Sequence, residues 1–385
     1  MHILISSLSR FTRPTGICRH AANLARCLSD LPGVDRITLL VGQWQAGYFR
    51  TSFDISSRKV ELVPVCIANT SLERNRWFAF GLPELAKTCR PDIVHFGFPI
   101  PVIGSRFNCP VVVTVHDLYP YDYSESFGRL DGFFKRRFFE QCMKRCNAVI
   151  SVSDTTRSAL VRRFPRLSSR IPVRVVYNYA DFQPFAEAPA SDHRPFLLTV
   201  AQHQPNKRLD LLLEAFASLR LDGRVGSELD LLVVGSEGSQ SESLRQLATA
   251  LNLDACVHWL PPVSDCRLAW LYQNCKAFIA SSCIEGFCLP LLEALFFNCR
   301  AVASDIPVFH EIAGEIPVYF DIAHDPVNGL ASAIVSSLSE APPGQPDKMR
   351  FSRSNTASEC FSLYSLLLSS PSEERQHLSG AGASD

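Results

Sequence analysis

The stretch AFIASSCIEGFCLPLLEAL (277–295) sets the reading of the whole chain. Ala277–Ala280 is an uninterrupted apolar run, the pattern of a strand buried on both faces of a parallel sheet. A polar loop follows, carrying Glu285 and Gly286. Pro290 stands where a helix would start, because its fixed φ and missing N–H suit the first helical turn. The stretch therefore reads strand, loop, helix. The amides of Phe287, Cys288 and Leu289 are expected to leave the helix N-terminus unpaired, which makes a site for a phosphate. Two carboxylates, Glu285 in the loop and Glu293 one turn into the helix, are not there to bind an anion. They suit the hydroxyl donors of a ribose or a hexose. An ordinary helix start with two solvated glutamates is the plainer alternative.

Outward from this stretch the same alternation recurs. Strands are expected at Phe196–Val200, Leu229–Val234, Val257–Leu260 and Ala301–Ala303. Helices are expected at Leu209–Leu219, Ser241–Leu251, Arg267–Gln273, Pro290–Phe297 and Asp325–Leu338. The first half repeats the theme. Its strands are His2–Ser6, Arg36–Val41, Ile93–Phe96, Val111–Val115, Ala148–Val152 and Val173–Tyr177. Its helices are Ile17–Leu31, Ser126–Asn147 and Ser153–Phe164. Hydrophobic strands alternating with amphipathic helices give an α/β fold with parallel sheets covered on both faces. The proline-containing segment Asp181–Pro195 reads as a linker, so two doubly wound domains are expected, at 1–182 and 195–345. A last helix, Phe351–Leu368, is expected to cross back to the first domain. The Ser/Gly/Glu-rich residues 370–385 are expected to be a disordered tail. Ligands of such sheets sit at the carboxyl ends of the strands, and two facing domains offer a cleft between them.

Composition agrees with a chain of 385 residues in two domains, 46% hydrophobic and 20% charged. That excludes a largely disordered chain, a collagen-like rod and a coiled coil. No apolar run reaches the ~18 residues of a spanning helix, and no signal peptide is expected at the N-terminus. The 14 cysteines are scattered without a CxxC pair, which points to buried free thiols in a reducing compartment. The formal net charge of +0 hides an asymmetry. Residues 1–190 hold 25 Lys and Arg against 15 Asp and Glu, and the remainder holds 13 against 23. A basic first half can meet an anionic substrate or a membrane surface, or simply attract the acidic half. The basic residues are dispersed and form no nucleic-acid recognition motif.

The segment EGFCLPLLEA (285–294) resembles the E-x7-E motif of retaining GT-B glycosyltransferases of family 4 (group 1), whose pattern is EGFGLPxxEA. Other landmarks fall in order: PTGICRHAANLARCL (14–28), VVTVHDL (112–118), VISVSDTTRSAL (149–160), VVYNYAD (175–181), NKRLDLLLEAF (206–216), LLVVG (231–235) and ASDIPVFHEIAG (303–314). The likeness covers about residues 1–368. The opening Thr15–Arg19 together with HDLYPYDY (116–123) is similar to O-antigen or capsule mannosyltransferases.

The resemblance implies a GT-B fold of two Rossmann-like domains, an acceptor domain followed by a nucleotide-sugar domain. It implies transfer of a hexose to a glycan or lipid-linked hydroxyl, with GDP-mannose the first donor and UDP- or dTDP-sugars next. It assigns Glu293 to the ribose hydroxyls, Glu285 to the C3 or C4 hydroxyl of the donor sugar, and the amides of Gly286–Leu289 to the sugar and diphosphate. Lys207 would neutralise the diphosphate, His116 would contact the donor sugar at the reacting centre, and Gly16 would let the backbone approach the phosphate or acceptor.

Two positions depart from the family. Gln202 stands where a second cation is usual, and Arg208 or Arg13 is the candidate substitute. Cys288 replaces a glycine, and is strained if the loop requires a positive φ there. No Asp-x-Asp motif sits at a strand end, so metal independence and no cofactor beyond the co-substrate are expected. The expected location is cytoplasmic, with contact at the inner face of the plasma membrane. The basic aromatic stretch Phe127–Cys146 could make that contact, or form a buried face with a solvated basic edge. The competing functional class is a non-catalytic nucleotide-sugar-binding subunit, motivated by Gln202 and Cys288.

Overall fold

Mostly apolar runs of three to seven residues supply thirteen strands among the described residues of the computed structural model. These are residues 1–101, 103, 106–118, 121, 129–181, 194–339, 344 and 346–369. In chain order the elements begin β1 (His2–Ser6), α1 (Gly16–Ser29), β2 (Arg36–Gly42), α2 (Gln43–Ser52), β3 (Val60–Val65) and α3 (Ser71–Arg76). A π-helical turn, Trp77–Gly81, leads into α4 (Leu82–Cys89), followed by β4 (Ile93–Phe96), β5 (Val111–Val115), α5 (Arg129–Arg145), β6 (Ala148–Ser151), α6 (Asp154–Arg163), α7 (Leu167–Arg170) and β7 (Val173–Val175). After it come β8 (Phe196–Val200), α8 (Leu209–Leu221), β9 (Asp230–Val234), α9 (Ser241–Ala250), β10 (Val257–Leu260), α10 (Asp265–Asn274), β11 (Ala277–Ala280) and α11 (Leu289–Phe296). The chain closes with β12 (Ala301–Ser304), α12 (Pro307–Ala313), β13 (Val318–Phe320), α13 (Pro326–Ser339) and α14 (Arg353–Ser369).

The strands form two wholly parallel sheets. The first has the order β3-β2-β1-β4-β5-β6-β7 and the second β10-β9-β8-β11-β12-β13. Each order reverses once, between β1 and β4 and between β8 and β11, and ligands of such sheets bind at that switch point. The chain divides into two compact units. One comprises Met1–Tyr179 and the segment starting at Met349, and the other is Ala180–Lys348.

In the first unit α1 starts behind Thr15, whose hydroxyl accepts the Cys18 amide at 3.5 Å. Cys18, Ala21, Ala25 and Leu28 then recur at helical spacing and are buried against β1 and β2. The last helix, α14, packs into this core. Ala357, Cys360, Leu363 and Tyr364 are all buried there, and Arg353 pairs with Asp30 at 2.6 Å. The core of the second unit joins α8, through Leu212, Phe216 and Leu219, to β9, β11 and α13.

Several elements go beyond the sequence expectations: α2, β3, α3, α4, α12 and β13. Helix α11 begins at Leu289, one residue before Pro290. The expected 126–147 helix is seen as Arg129–Arg145: it ends two residues early, and residues 126–128 lie outside the described residues. Most of the expected linker, residues 182–193, and the expected tail, 370–385, lie outside the described residues.

Candidate active site

In the second unit the polar loops after β8 and β11 meet at the switch point. A one-turn 3-10 helix, Pro205–Lys207, follows β8 and ends in Lys207. The loop after β11 carries Ser281, Ser282 and Glu285. The Lys207 ammonium pairs with Glu285 Oε1, and the two side chains are 23% and 10% exposed. Ser282 Oγ donates to the same carboxylate oxygen at 2.7 Å. The loops are laced together around this pair. Ser281 Oγ donates to the Lys207 carbonyl at 2.9 Å, the Cys283 amide donates to the Asn206 carbonyl at 2.9 Å, and Asn206 Nδ2 donates to the Ile284 carbonyl at 3.2 Å. Thr199, Lys207, Ser282, Glu285 and Cys288 line a cavity at this point.

Cys288 precedes α11 with φ 73° and ψ 72°, in the left-handed region. The loop does require a positive φ, so the residue that departs from the family pattern is strained. Burial, reinforced by the neighbouring Glu285 carboxylate, pushes its thiol up to about 12. Gly286 and Phe287 are buried and Leu289 is half-buried. Glu293 is buried in α11, where Tyr272 Oη donates to its Oε2 at 2.9 Å. Burial and that carboxylate hold the Tyr272 phenol far above its ordinary range. Arg208, also at positive φ, directs its Nε at both oxygens of Asp210 at 3.2 Å. Gln202 Nε2 donates to the Glu237 carbonyl at 3.5 Å.

The first unit gathers its own polar cluster at strand ends. His116 follows β5, and its Nε2 lies 2.8 Å from the Gly97 carbonyl beyond β4. A carbonyl only accepts, so Nε2 carries the proton and Nδ1 is a bare acceptor. Burial lowers His116 to about 4, against the opposing pull of the Gly97 carbonyl. His20, on α1, stands perpendicular to it at 4.7 Å between ring centroids. His95 is held by the hydroxyls of Tyr364 and Thr114 at 2.5 and 2.7 Å. Gly16 opens α1 and is exposed, and a Cβ added there would meet nothing within 4 Å. Among the described residues no packing demands a glycine at that position.

Residues 14–183 match the family model described as Glycosyltransferase Family 4, and residues 182–316 match the model for Glycosyl transferases group 1. Together the two models span both clusters. The chain belongs to the GT-B glycosyltransferases, with a family 4 domain followed by a group 1 domain. This glycosyltransferase is 26% identical to the O-antigen chain mannosyltransferase RfbU of Salmonella typhimurium, over 80% of this chain and 84% of that one. It is 23% identical to the O-antigen chain mannosyltransferase B of Escherichia coli, over 69% of this chain and 74% of the relative. Among solved structures, Anabaena Alr3699/HepE in complex with UDP and glucose aligns with a TM-score of 0.67 at 17% identity, covering 98% of both chains. WaaG, a glycosyltransferase involved in lipopolysaccharide biosynthesis, aligns with a TM-score of 0.65 at 16% identity, covering 99% of this chain and 100% of WaaG. These structural likenesses speak to the fold.

In this glycosyltransferase Lys207, Glu285 and Cys288 come together in the second unit, with Glu293 in the helix behind the same loop. Gly16 and His116 belong to the first unit. Sequence reasoning missed Ser282 and Tyr272, which hold Glu285 and Glu293, and it missed His20 beside His116. Ser282 was open to notice, since it lies three residues before Glu285. Tyr272 lies on a separate helix and carries no motif signal. Among the described residues no helix is long and apolar enough to cross a membrane.

Proposed function

We propose that this hexosyltransferase moves a mannosyl residue from GDP-mannose to a hydroxyl of a growing polysaccharide or its lipid-linked precursor, with retention of anomeric configuration. UDP- and dTDP-sugars rank behind as donors. The observation that carries this reading is the Lys207–Glu285 pair at the switch point between β8 and β11. Without donor, each group neutralises the other. A nucleotide sugar offers both a better partner: the diphosphate for the ammonium, a sugar hydroxyl for the carboxylate. The named O-antigen mannosyltransferases among its relatives support mannose as the sugar.

As the bond from C1 to the phosphate oxygen breaks, negative charge grows on the leaving diphosphate. Lys207 and the Gly286–Leu289 amides stabilise it, without need of a metal ion. The acceptor oxygen bonds to C1 from the same face, and its proton passes to the departing phosphate oxygen. Glu293 takes the ribose hydroxyls, and Gly16 lets the diphosphate or acceptor approach the backbone. His116, neutral and protonated on Nε2, presents Nδ1 as an acceptor for a donor-sugar hydroxyl. It therefore orients the sugar rather than delivering a proton. Arg208 takes the place of the second family cation once it leaves Asp210. The enzyme works on the cytoplasmic side of the plasma membrane, touching it through α5, where Phe133 and Phe134 are exposed beside Lys135, Arg136 and Arg137.

A thermal-shift panel of GDP-mannose, UDP-glucose, UDP-GlcNAc and dTDP-sugars tests the donor, since selective binding raises the melting temperature by mass action. Release of the matching nucleoside diphosphate is then measured in the same samples with a glycan primer. GDP-mannose is expected to stabilise and turn over, with Glu285→Ala and His116→Ala both defective. Selective stabilisation by a different nucleotide would replace the donor. Binding without turnover in any sample would remove the proposed transfer.

A further inference from the structure

We propose that His20 is a positioning residue for His116: its ring fixes the orientation and tautomer in which His116 meets the donor sugar. The inference rests on the reading of His116 given above. It begins with the anchoring of His20. Its Nδ1 lies 2.5 Å from Asn178 Oδ1, an acceptor, so the proton is on Nδ1 and Nε2 is bare. The residue is 5% exposed, and Nε2 has no hydrogen-bond partner among the described residues. The bond to the buried Asn178 accounts for the Nδ1 edge of the ring, but packing does not account for a second buried nitrogen left without a partner.

The ring of His20 stands at 90° to that of His116, with centroids 4.7 Å apart. A flat wall at that distance limits rotation about the second side-chain torsion of His116. The Gly97 carbonyl holds the Nε2 edge of the same ring at 2.8 Å. The Gly97 amide in turn donates to the Ser6 carbonyl at 2.9 Å, which locks that carbonyl to the end of β1. Asn178, beyond β7, fixes His20 from the other side. Were His116 to flip, its carbons and nitrogens would exchange places, and its protonated nitrogen would leave the Gly97 carbonyl. One flip state is thus favoured, and it leaves Nδ1 as the acceptor. Burial keeps both rings neutral, His20 at about 3 and His116 at about 4, so neither arrangement is disturbed by protonation near neutral pH.

The full-length enzyme is assayed as wild type, His20→Ala, His20→Phe, His20→Leu and His116→Ala. Donor turnover is measured, and long-range proton–nitrogen spectra of 15N-histidine-labelled protein report the His116 tautomer. His20→Ala and His20→Leu are expected to lower kcat about tenfold or more with donor KM nearly unchanged, since misplacement of a contact group acts on the reacting geometry. His20→Phe, which restores a flat ring without the hydrogen bond, is expected to recover most of kcat even if it melts earlier. The spectra should show one Nε2–H tautomer for His116 in wild type and His20→Phe, and an averaged signal in His20→Leu. If His20→Ala fails to fold, the Leu and Phe pair decides. Equal kcat in His20→Leu and His20→Phe, or an unchanged tautomer in His20→Leu, would overturn the inference. Wild-type turnover in His116→Ala would instead overturn the role of His116, while the spectra would still judge whether His20 orients it.

Discussion

Lys207 and Glu285, 78 residues apart in the chain, close an ion pair between the loops that follow two adjacent strands, and Ser282 holds the carboxylate in place. Removing one partner leaves the other charge half-shielded from water. Lys207→Ala is therefore expected to destabilise the chain by about 1–3 kcal/mol, at the low end because both groups keep some exposure. It should also abolish measurable transfer. The double variant Lys207→Met/Glu285→Leu should regain most of that stability and none of the activity, because a well-packed apolar pair avoids the desolvation cost. Chemical denaturation beside donor turnover checks this. A double variant no more stable than Lys207→Ala would show that the pair contributes net stability.

Cys288 occupies a left-handed conformation with a Cβ present. That conformation costs an L-residue roughly 1–2 kcal/mol, and the added unfolded-state freedom of glycine returns about 0.5–1 of it. Cys288→Gly is thus expected to be about 0.5–1 kcal/mol more stable than Cys288→Ala, which loses the same sulfur but keeps the strain. Both variants should retain turnover if the backbone, not the thiol, serves the donor. Equal midpoints for the two in urea would mean that the loop relaxes around a side chain at no cost.

Gly16 poses the converse case. It starts α1, its φ is not positive, and an added Cβ meets no atom of the described residues within 4 Å. Alanine is favoured over glycine in a helix by about 1 kcal/mol, so Gly16→Ala should melt at the same temperature or higher. Its kcat/KM should nonetheless fall tenfold or more, if a ligand needs the space. An active, stable Gly16→Ala would return this residue to the status of an ordinary helix start.

The continuous apolar runs that form β1, β4, β5, β8 and β11 show in the sequence as buried parallel strands, and with them the strand-end positions of His116 and Glu285. Between Gln43 and Cys89 the sequence is less telling. β3 reads VELVPV, half-buried at the sheet edge, with Glu61 and Pro64 breaking the apolar run, and an edge is where proline is tolerated. α2 reads QWQAGYFRTS and buries only Gln45, Ala46 and Phe49, so it lacks a continuous stripe. β13 has three residues. Contacts between distant segments are invisible to periodicity. Tyr272 beneath Glu293 and Asn178 beside His20 are joined only by the folded sheet.

Three histidines of the first unit are held neutral by burial. His20 and His95 are lowered from 6.5 to about 3, and His116 to about 4. From pH 6.5 down to about 3 for His20 and His95, and down to about 4 for His116, the unfolded chain takes up protons that the folded chain refuses. Stability therefore falls as pH falls through that window, by up to about 1.4 kcal/mol per pH unit for each histidine. Below it the folded state binds the protons as well, and these groups add no further loss. Denaturant midpoints measured from pH 7.5 to 4.5 should show this slope. His95→Gln keeps polar atoms for Thr114 and Tyr364 and cannot titrate, so its slope should be shallower than wild type. Identical slopes would place the acid sensitivity elsewhere.

Helix α5 has two different faces. Phe139, Cys142 and Met143 are buried in the first unit, while Phe133 and Phe134 are 58% and 53% exposed and lie edge-to-face at 5.8 Å. Lys135, Arg136 and Arg137 follow them directly. An exposed aromatic pair next to basic side chains favours a surface that is apolar beneath an anionic layer. The full-length protein is expected to co-sediment with vesicles containing phosphatidylglycerol at low salt, and less so in 0.5 M salt or with phosphatidylcholine alone. Phe133→Ser/Phe134→Ser should weaken this about tenfold or more, as each ring is worth on the order of 1–2 kcal/mol in the interface. Turnover on a short water-soluble acceptor should be unchanged, because both rings stand outside the proposed site. Equal sedimentation of the variant and wild type would assign the membrane affinity to charge alone, and no sedimentation of wild type at low salt would remove membrane contact from the proposed function.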